Sequence, residues 1–578
     1  MKINPLTYMD FYKADHRRQY PEGTEYVYSN FTPRSAKLAN VLPDFDNKIV
    51  WFGLQGFIKH FLIDTWNQEF FDKPREEVVK AYKRRMDTSL GPDSIPAEHI
   101  EALHDLGYLP VCIAALPEGE RVNIGVPPLT IFNTQPEFFW LVNYLETVMS
   151  SELWKACTNA TIASEYKRLL LQFAEKTDAP LDFVPFQGHD FSARGMSGLY
   201  DAAQSGVGHL LSFVGTDTVS AIDYAENYYN ADAEKELIGC SVPATEHSVM
   251  CMGEQEKEID TFRRLITQLY PTGVVSIVSD TWDFWKVICE YAKELKPEIM
   301  ARQPNALGLN KVVFRPDSGD PVEIICGSEI VLSYGSLQEA EESLLEDVDA
   351  DCQENCGQGF HGPDTVVRTA RVDGKLYKLT FGVEYEGQWQ DRGDKLYSCE
   401  KVRLVETEET ELSPEQKGAV ECLWDIFGGT LTDKGYKVLD QHVGIIYGDS
   451  ITLERAKAIL ERLEEKGFAS NNIVFGIGSY TYQHSTRDTF GWAMKATWGQ
   501  VNGQSREIFK DPKTGDGVKK SAKGLLRVEK VGKDYILYDQ QPPNSGGQPC
   551  ALETIFYDGV LWEETSLSEI RERLSASL

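Results

Sequence analysis

The chain of 578 residues is 42% hydrophobic and 11% aromatic, enough apolar material for a large core and, by length, for about two to four domains. It carries 58 Lys and Arg against 89 Asp and Glu, and the net charge of −31 excludes a general polyanion-binding surface and makes nucleic acid an unexpected partner. An anionic ligand must then be held by a local cationic pocket inside a repelling overall field.

No apolar h-region opens the sequence MKINPLTYMDFYKADHRRQY, and no run of about 18 uncharged apolar residues occurs, so neither a standard secretion signal nor a membrane span is expected. Eleven cysteines without a CxxC pair read as reduced thiols of a cytoplasmic protein. Cys352 and Cys356 are close, but the second ligand pair that zinc needs is missing, so no metal site is expected there.

Residues 1–150 are read as an N-terminal α+β region. Short β-branched or apolar runs follow, each closing on glycine and polar residues: LDFVPFQ before GHDF, HLLSFV before GTD, GVVSIV before SD, KVVF before RPDSGD, HVGIIY before GDS and NNIVF before GIGS. Such runs read as buried parallel strands. Helical patterns fill most gaps. After Asp449 the segment ITLERAKAILERLEEKG spaces Ile451, Ala456, Ile459, Leu460 and Leu463 for one helix face and stops at Gly467. Strand, polar turn and helix at a spacing of roughly 30 residues predict an α/β barrel or an open doubly wound sheet, and in both the ligand binds where the strands end.

The rhythm fails between Phe314 and His442, which predicts an inserted unit over roughly 327–415. It holds an acidic stretch from Glu339 to Glu354 and then alternating runs around Asp373-Gly374, a dipeptide of tight hairpins, so a largely β insertion is expected. Ser413-Pro414 with Gln416 reads as a capping box that restarts the α/β pattern. The expected division is 1–150, then 151–326 as the first part of the barrel, 327–415 as the insertion, and 416–578 as the rest of the barrel with a basic C-terminal region.

No Walker A or HExxH pattern occurs, and the GxGxxG match at Gly357, Gly359 and Gly362 lies in the acidic insertion with no strand before it, so it is set aside. What remains lies at strand ends. Gly448-Asp449-Ser450 directly precedes a helix, where free backbone N–H groups favour a phosphate or a hydroxyl-rich ligand, and Gly476-Ile477-Gly478-Ser479 repeats the arrangement. Each equally fits a tight turn with a helix cap. Arg315-Pro316-Asp317-Ser318-Gly319 sets a cation beside an anion, suited to a phosphate and a sugar hydroxyl together or to a structural ion pair. Lys495, Arg506, Lys510, Lys513, Lys519, Lys520, Lys523 and Arg527 concentrate positive charge near the C-terminus, as a local anion patch or as a solvated loop.

Taken in order, DFYKADHRRQYP, GHDFSARG, GTDT, SVPATEHS, SIVSD, FRPDSGDP, YGDS, FGIGS, STRD and IFKDP with KKSAKG resemble the nicotinamide phosphoribosyltransferases through most of the chain, with 327–415 lacking a counterpart in shorter members. The resemblance implies a type II phosphoribosyltransferase-like α/β barrel and a pentosyltransferase of NAD biosynthesis. It would join nicotinamide to phosphoribosyl pyrophosphate (PRPP), with Mg2+ carried by the pyrophosphate and ATP hydrolysis optionally coupled. It also implies a homodimer with shared sites, in which the nicotinamide ring lies between Phe191 and a partner's Tyr12.

By the same resemblance Arg194 lies near the pyrophosphate, Asp217 accepts from the carboxamide, and Arg315, Asp317, Gly448, Asp449 and the turn Gly478-Ser479 contact ribose and 5-phosphate. Arg487 binds phosphate, and His247 is the histidine that becomes phosphorylated. Ser241 and Ser276 are assigned as further substrate contacts, and Arg34, Lys495, Lys510 and Lys519 as phosphate or pyrophosphate contacts. Read without it, Asp217 also fits a cap for the helix in TVSAIDYAENYY, and His247 a packed or helix-starting histidine. The phosphate turn departs from a GSGGG pattern, since Ser479 and Tyr480 replace its last two glycines, which leaves backbone donors intact if no positive φ is needed. Two other functions compete: a nicotinate phosphoribosyltransferase, which Asp217 opposes by like charge, and a catalytically silent binding or signalling protein on the same fold.

Overall fold

The computed structural model describes residues 4–328, 331–357, 362–389, 395–448, 450–509, 522–543 and 548–578. Its centre is a parallel sheet built from β1 (Gly188–Asp190), β2 (Gly215–Thr216), β3 (Val275–Val278), β4 (Val312–Arg315), β5 (Val443–Tyr447) and β6 (Ile473–Ile477). The strand order is β2-β1-β6-β5-β4-β3. The gap between β2 and β3 is spanned by residues 240–245, through parallel bridges Gly215 to Cys240 and Ala244 to Ser276. Thr216 N donates to Cys240 O at 2.9 Å and Thr245 N to Ser276 O at 3.0 Å, so an irregular seventh stave closes the sheet into a barrel. Strands β3 and β5 are buried along their whole length, as a sheet covered by helices requires.

Two of the predicted strand runs are displaced. LDFVPFQ is a 3-10 helix over Leu181–Phe186, and only the three residues after it pair, because Pro185 has no N–H to give a ladder. His209 and Leu210 of HLLSFV end a helix, α2 (Leu199–Leu210), that is buried on every side from Ala202 onward. An all-round apolar helix end has the same sequence signature as a buried strand. The helix expected after Asp449 forms over Leu453–Glu465 and buries Ala456, Ile459, Leu460 and Leu463, and Gly467 takes φ 74° just beyond it.

Between β4 and β5 stands a four-stranded sheet in the order Leu332–Tyr334, Thr365–Val372, Lys375–Trp389, Lys395–Thr410. Asp373 (φ 49°) and Gly374 (φ 80°) make its hairpin turn, the double positive φ that the dipeptide favours. The acidic stretch is a helix over Leu337–Gly357, and its Ala340, Leu344, Val348, Cys352 and Cys356 repeat every fourth residue to bury against Leu379, Phe381 and Cys399. Both ends of this unit meet, since Ser328 N donates to Glu415 O at 3.1 Å. Ser413 and Gln416 form the capping box.

A second layer is a seven-stranded sheet in the order Gln504–Glu507, Ala493–Val501, Thr24–Thr32, Leu129–Asn133, Val111–Ala115, Glu553–Tyr557, Val560–Leu561. The strands Ala493–Val501 and Glu553–Tyr557 thus pair with N-terminal ones, in a sheet separate from that of the barrel, a division that local periodicity does not encode. Helix α1 (Glu146–Thr177), about 48 Å long at 1.5 Å per residue, joins the two layers: Leu153 and Cys157 sit in the core of the N-terminal sheet, Tyr166 and Leu170 in that of the barrel.

Candidate active site

Every stave delivers side chains at its carboxyl end, the face where barrel sites form. Phe191 follows β1, Asp217 follows β2, Ser241 lies within the irregular stave and His247 follows it, Asp280 follows β3, Arg315 and Asp317 close β4, and Gly448 and Gly478 follow β5 and β6.

On one side lie the groups suited to a flat amide. His189 Nε2 is 2.9 Å from Asp217 Oδ1, and Ser241 Oγ donates to the same oxygen at 2.6 Å. Burial raises the Asp217 carboxyl, but the hydrogen bonds from His189 and Ser241, the His189 charge and nearby Arg315 outweigh it, and the carboxyl ends below the ordinary aspartate value. The helix Val219–Tyr228 starts without a side-chain cap from Asp217. The Phe191 ring packs on His189 with centroids 4.6 Å apart. Its N–H donates to Ile477 O at 2.9 Å, and a Cβ added at Gly476 would lie 2.9 Å from Phe191 Cδ2 and 2.5 Å from Tyr447 O, so only glycine admits the ring here. Buried Asp190 holds both turns, accepting from Ser192 N at 2.9 Å and Thr218 Oγ1 at 2.7 Å. The buried Ser276 Oγ has no hydrogen-bond partner among the described residues.

Across the barrel mouth Arg315 donates to Thr245 O at 2.6 Å and stands 3.8 Å from Asp317 Oδ2, while its buried Nε has no partner among the described residues. The guanidinium is a charged multi-donor group of the kind that suits an anion. Asp317 N and Ser318 Oγ both donate to Asp280 Oδ2, at 2.8 and 2.6 Å. His247, the first residue of a short helix, points Nε2 between two carboxylates, 3.7 Å from Asp317 Oδ2 and 4.0 Å from Asp280 Oδ1. Its Nδ1 is 3.2 Å from Thr281 Oγ1. Gly448 N donates to Pro316 O at 3.0 Å, and a Cβ there would fall 2.2 Å from Asp317 Oδ1. Gly478 is extended and opens the helix Ser479–Gln483, and none of residues 476–480 has a positive φ, so Ser479 and Tyr480 sit in the turn without strain.

Family comparison agrees with this constellation. The model described as "Nicotinate phosphoribosyltransferase (NAPRTase) family" matches residues 186–350 and 362–541, and "Nicotinamide phosphoribosyltransferase, N-terminal domain" matches residues 4–93. The chain belongs to the nicotinate phosphoribosyltransferase family. It is 57% identical over 577 residues to the nicotinamide phosphoribosyltransferase of Acinetobacter baylyi, covering 100% of this chain and 98% of that one. It is 29% identical to that of Xanthomonas campestris pv. campestris (99% and 98% covered) and 31% identical to that of Mycoplasma pneumoniae (90% and 95% covered).

In this member of the NAPRTase family, five residues assigned from sequence make their contacts outside the cluster just described. Tyr12 lies on an N-terminal 3-10 turn, 63% exposed, with its ring 5.3 Å from that of His16. Arg34 donates to Gly491 O at 2.8 Å beside the turn that carries exposed Arg487. Lys495 lies in the seven-stranded sheet opposite Asn30. Arg194 is exposed on the turn after Phe191. Among the described residues these five make no hydrogen bond or ion pair with Phe191, Asp217, His247, Arg315 or Asp317. Asp449, Lys510, Lys513, Lys519 and Lys520 lie outside the described residues. Sequence reasoning missed His189 and Asp280, although both stand in quoted strand-end motifs and share the position, at a strand's end, that singled out their neighbours.

Proposed function

We propose that the chain transfers the phosphoribosyl group of PRPP to nicotinamide, giving nicotinamide mononucleotide and pyrophosphate, a step of NAD salvage. The observation that carries this reading is Asp217, held as a carboxylate by Ser241 and by His189, on which the Phe191 ring packs. A fixed anion accepts from a carboxamide N–H and repels a carboxylate, so nicotinamide is favoured over nicotinate.

The C1–oxygen bond to pyrophosphate breaks as the bond from the nicotinamide ring nitrogen to C1 forms, and positive charge builds at C1 on the way. The ring nitrogen has no proton to lose, so no general base is required. Arg315, Arg194 and Arg487 supply the cations for the phosphate groups, with Mg2+ entering as the counter-ion of the pyrophosphate. Asp317, beside the glycine of Gly448, suits the ribose hydroxyls. His247, between Asp280 and Asp317, takes phosphate from ATP in an optional coupling step. Exposed Tyr12 completes the nicotinamide pocket of a partner in a homodimer, and the enzyme acts in the cytoplasm; among the described residues no helix is long and apolar enough to cross a membrane.

The test is product analysis with PRPP and either base. Mononucleotide and stoichiometric pyrophosphate from nicotinamide, with little from nicotinate, is the expected result. Preference for nicotinate, or no pyrophosphate release with either base, overturns the reading, the second outcome leaving a silent binding protein.

A further inference from the structure

A closed ring of four residues, with one link through the backbone N–H of Ser197, lies beside the helix that follows Gly478. Lys155, on α1, is buried, and its Nζ sits 2.6 Å from Asp201 Oδ2. The same ammonium donates to Gln483 Oε1. Gln483 Nε2 donates to Ser197 Oγ at 2.5 Å, and Ser197 N donates to Asp201 Oδ2 at 2.8 Å, which returns to the starting carboxylate.

The ring joins three pieces of chain. Ser197 lies three residues after Arg194 on the same connection, Asp201 stands in the first turn of α2, and Gln483 ends the helix that Gly478 opens. On their other side these pieces already touch, since a Cβ added at Gly195 would fall 2.0 Å from Ser479 Oγ. The Arg194 connection is thus clamped onto the Gly478-Ser479 turn, by direct contact on one side and by the ring on the other.

An ammonium in this position is costly. Burying it takes several kcal/mol unless a carboxylate and further acceptors replace its water, and an apolar side chain of similar size is often at least as stable. One turn away on α1 its neighbours are Glu152, Thr158 and Asn159, so this face of the helix is polar and the ammonium offsets the carboxylate of Asp201 there. What a lysine adds is fixed geometry: a single point charge that holds an acceptor from each of two mobile-length side chains at hydrogen-bond distance.

We infer that Lys155 is a positioning residue for PRPP, setting the separation between the Arg194 guanidinium and the backbone N–H groups at Gly478-Ser479. This rests on the proposed role of those two groups in holding PRPP. Lys155 reaches neither Phe191 nor Asp217, so nicotinamide binding does not depend on it.

The experiment measures KM for each substrate, together with PRPP affinity by titration calorimetry, in full-length Lys155→Met and Gln483→Ala. A misplacement of about 1 Å is enough for losses of tenfold or more. PRPP KM and Kd are expected to rise about tenfold in both variants, with nicotinamide KM within about twofold of wild type. If Lys155→Met is insoluble because Asp201 is left as a buried unpaired charge, Lys155→Met with Asp201→Asn removes that charge, and its PRPP affinity is expected to match that of Gln483→Ala. Unchanged PRPP affinity in folded variants, or an equal loss for both substrates, overturns the inference. Wild-type protein that binds PRPP without making mononucleotide defeats the functional reading instead, and the calorimetric comparison still reads the ring.

Discussion

His189 and Ser241 both donate to one oxygen of Asp217, Oδ1, at 2.9 and 2.6 Å, leaving Oδ2 with no partner among the described residues. The carboxylate therefore presents a single oriented acceptor, and Asp217→Asn keeps the shape while removing the charge. The ratio of kcat/KM for nicotinamide over nicotinate should fall by about tenfold or more in this variant, given the cost of facing like charges. Because the carboxyl lies below the ordinary aspartate value, its charge is present above that value and lost only as pH falls through the lowered one. The base preference should therefore stay flat from pH 8 down to about pH 5. An unaltered ratio in Asp217→Asn would show that discrimination lies elsewhere.

His247 is placed beside Asp280 and Asp317, away from the nicotinamide-facing groups. His247→Ala should abolish stimulation of mononucleotide formation by ATP and leave basal transfer measurable. Rates with and without ATP decide it, and stimulation that persists in the variant removes the histidine from any phosphate coupling.

The unit between β4 and β5 has its own core, and its two ends are hydrogen-bonded to each other at Ser328 and Glu415. Replacing residues 331 to 411 by a short Gly/Ser linker should preserve transfer, because a surface excursion with adjoining ends costs its scaffold little. Loss of activity in a variant that stays folded and keeps its oligomeric state would give the insertion a part in the site.

Tyr12 is 63% exposed and, among the described residues, makes no ring contact with the rim of its own chain. Tyr12→Ala and Asp217→Ala homodimers should each be severely impaired, since every site lacks one partner of the base. In a mixed dimer one site combines Asp217 of the first variant with Tyr12 of the second and is whole. Random mixing should then recover about a quarter of wild-type activity. Mixing verified by mass spectrometry with no recovery confines Tyr12 to its own subunit and ends the shared-site reading.

The strand-end clusters were legible in the sequence because glycine and charged residues after a β-branched run have few other uses, and Phe191, Asp217, His247, Arg315, Asp317 and Gly448 all lie on one barrel mouth. His189 and Asp280 were not singled out, since a histidine and an aspartate at a strand end look the same whether they face ligand, solvent or a neighbouring side chain. HLLSFV misled for a different reason: an apolar stretch buried on all sides carries no period, and α2 ends where a strand was expected. The irregular stave at 240–245 has only isolated bridges and no β-branched run to announce it. The acidic helix of the insertion was hidden by its charge, although its fourth-residue apolar spacing was present.

The strand Thr24–Thr32 lies between Leu129–Asn133 and Ala493–Val501, and its contact with the latter joins Asn30 to Lys495 across 465 residues. At a synthesis rate of about 5–20 residues per second, one edge of this strand waits roughly 20 to 90 s on the ribosome for its neighbour to emerge. Throughout that interval an open row of backbone donors and acceptors faces outward, a surface that other nascent chains can pair with. Completion of the fold is thus a late event in the life of the polypeptide, and chain termination anywhere before residue 493 leaves the sheet with three of its seven strands.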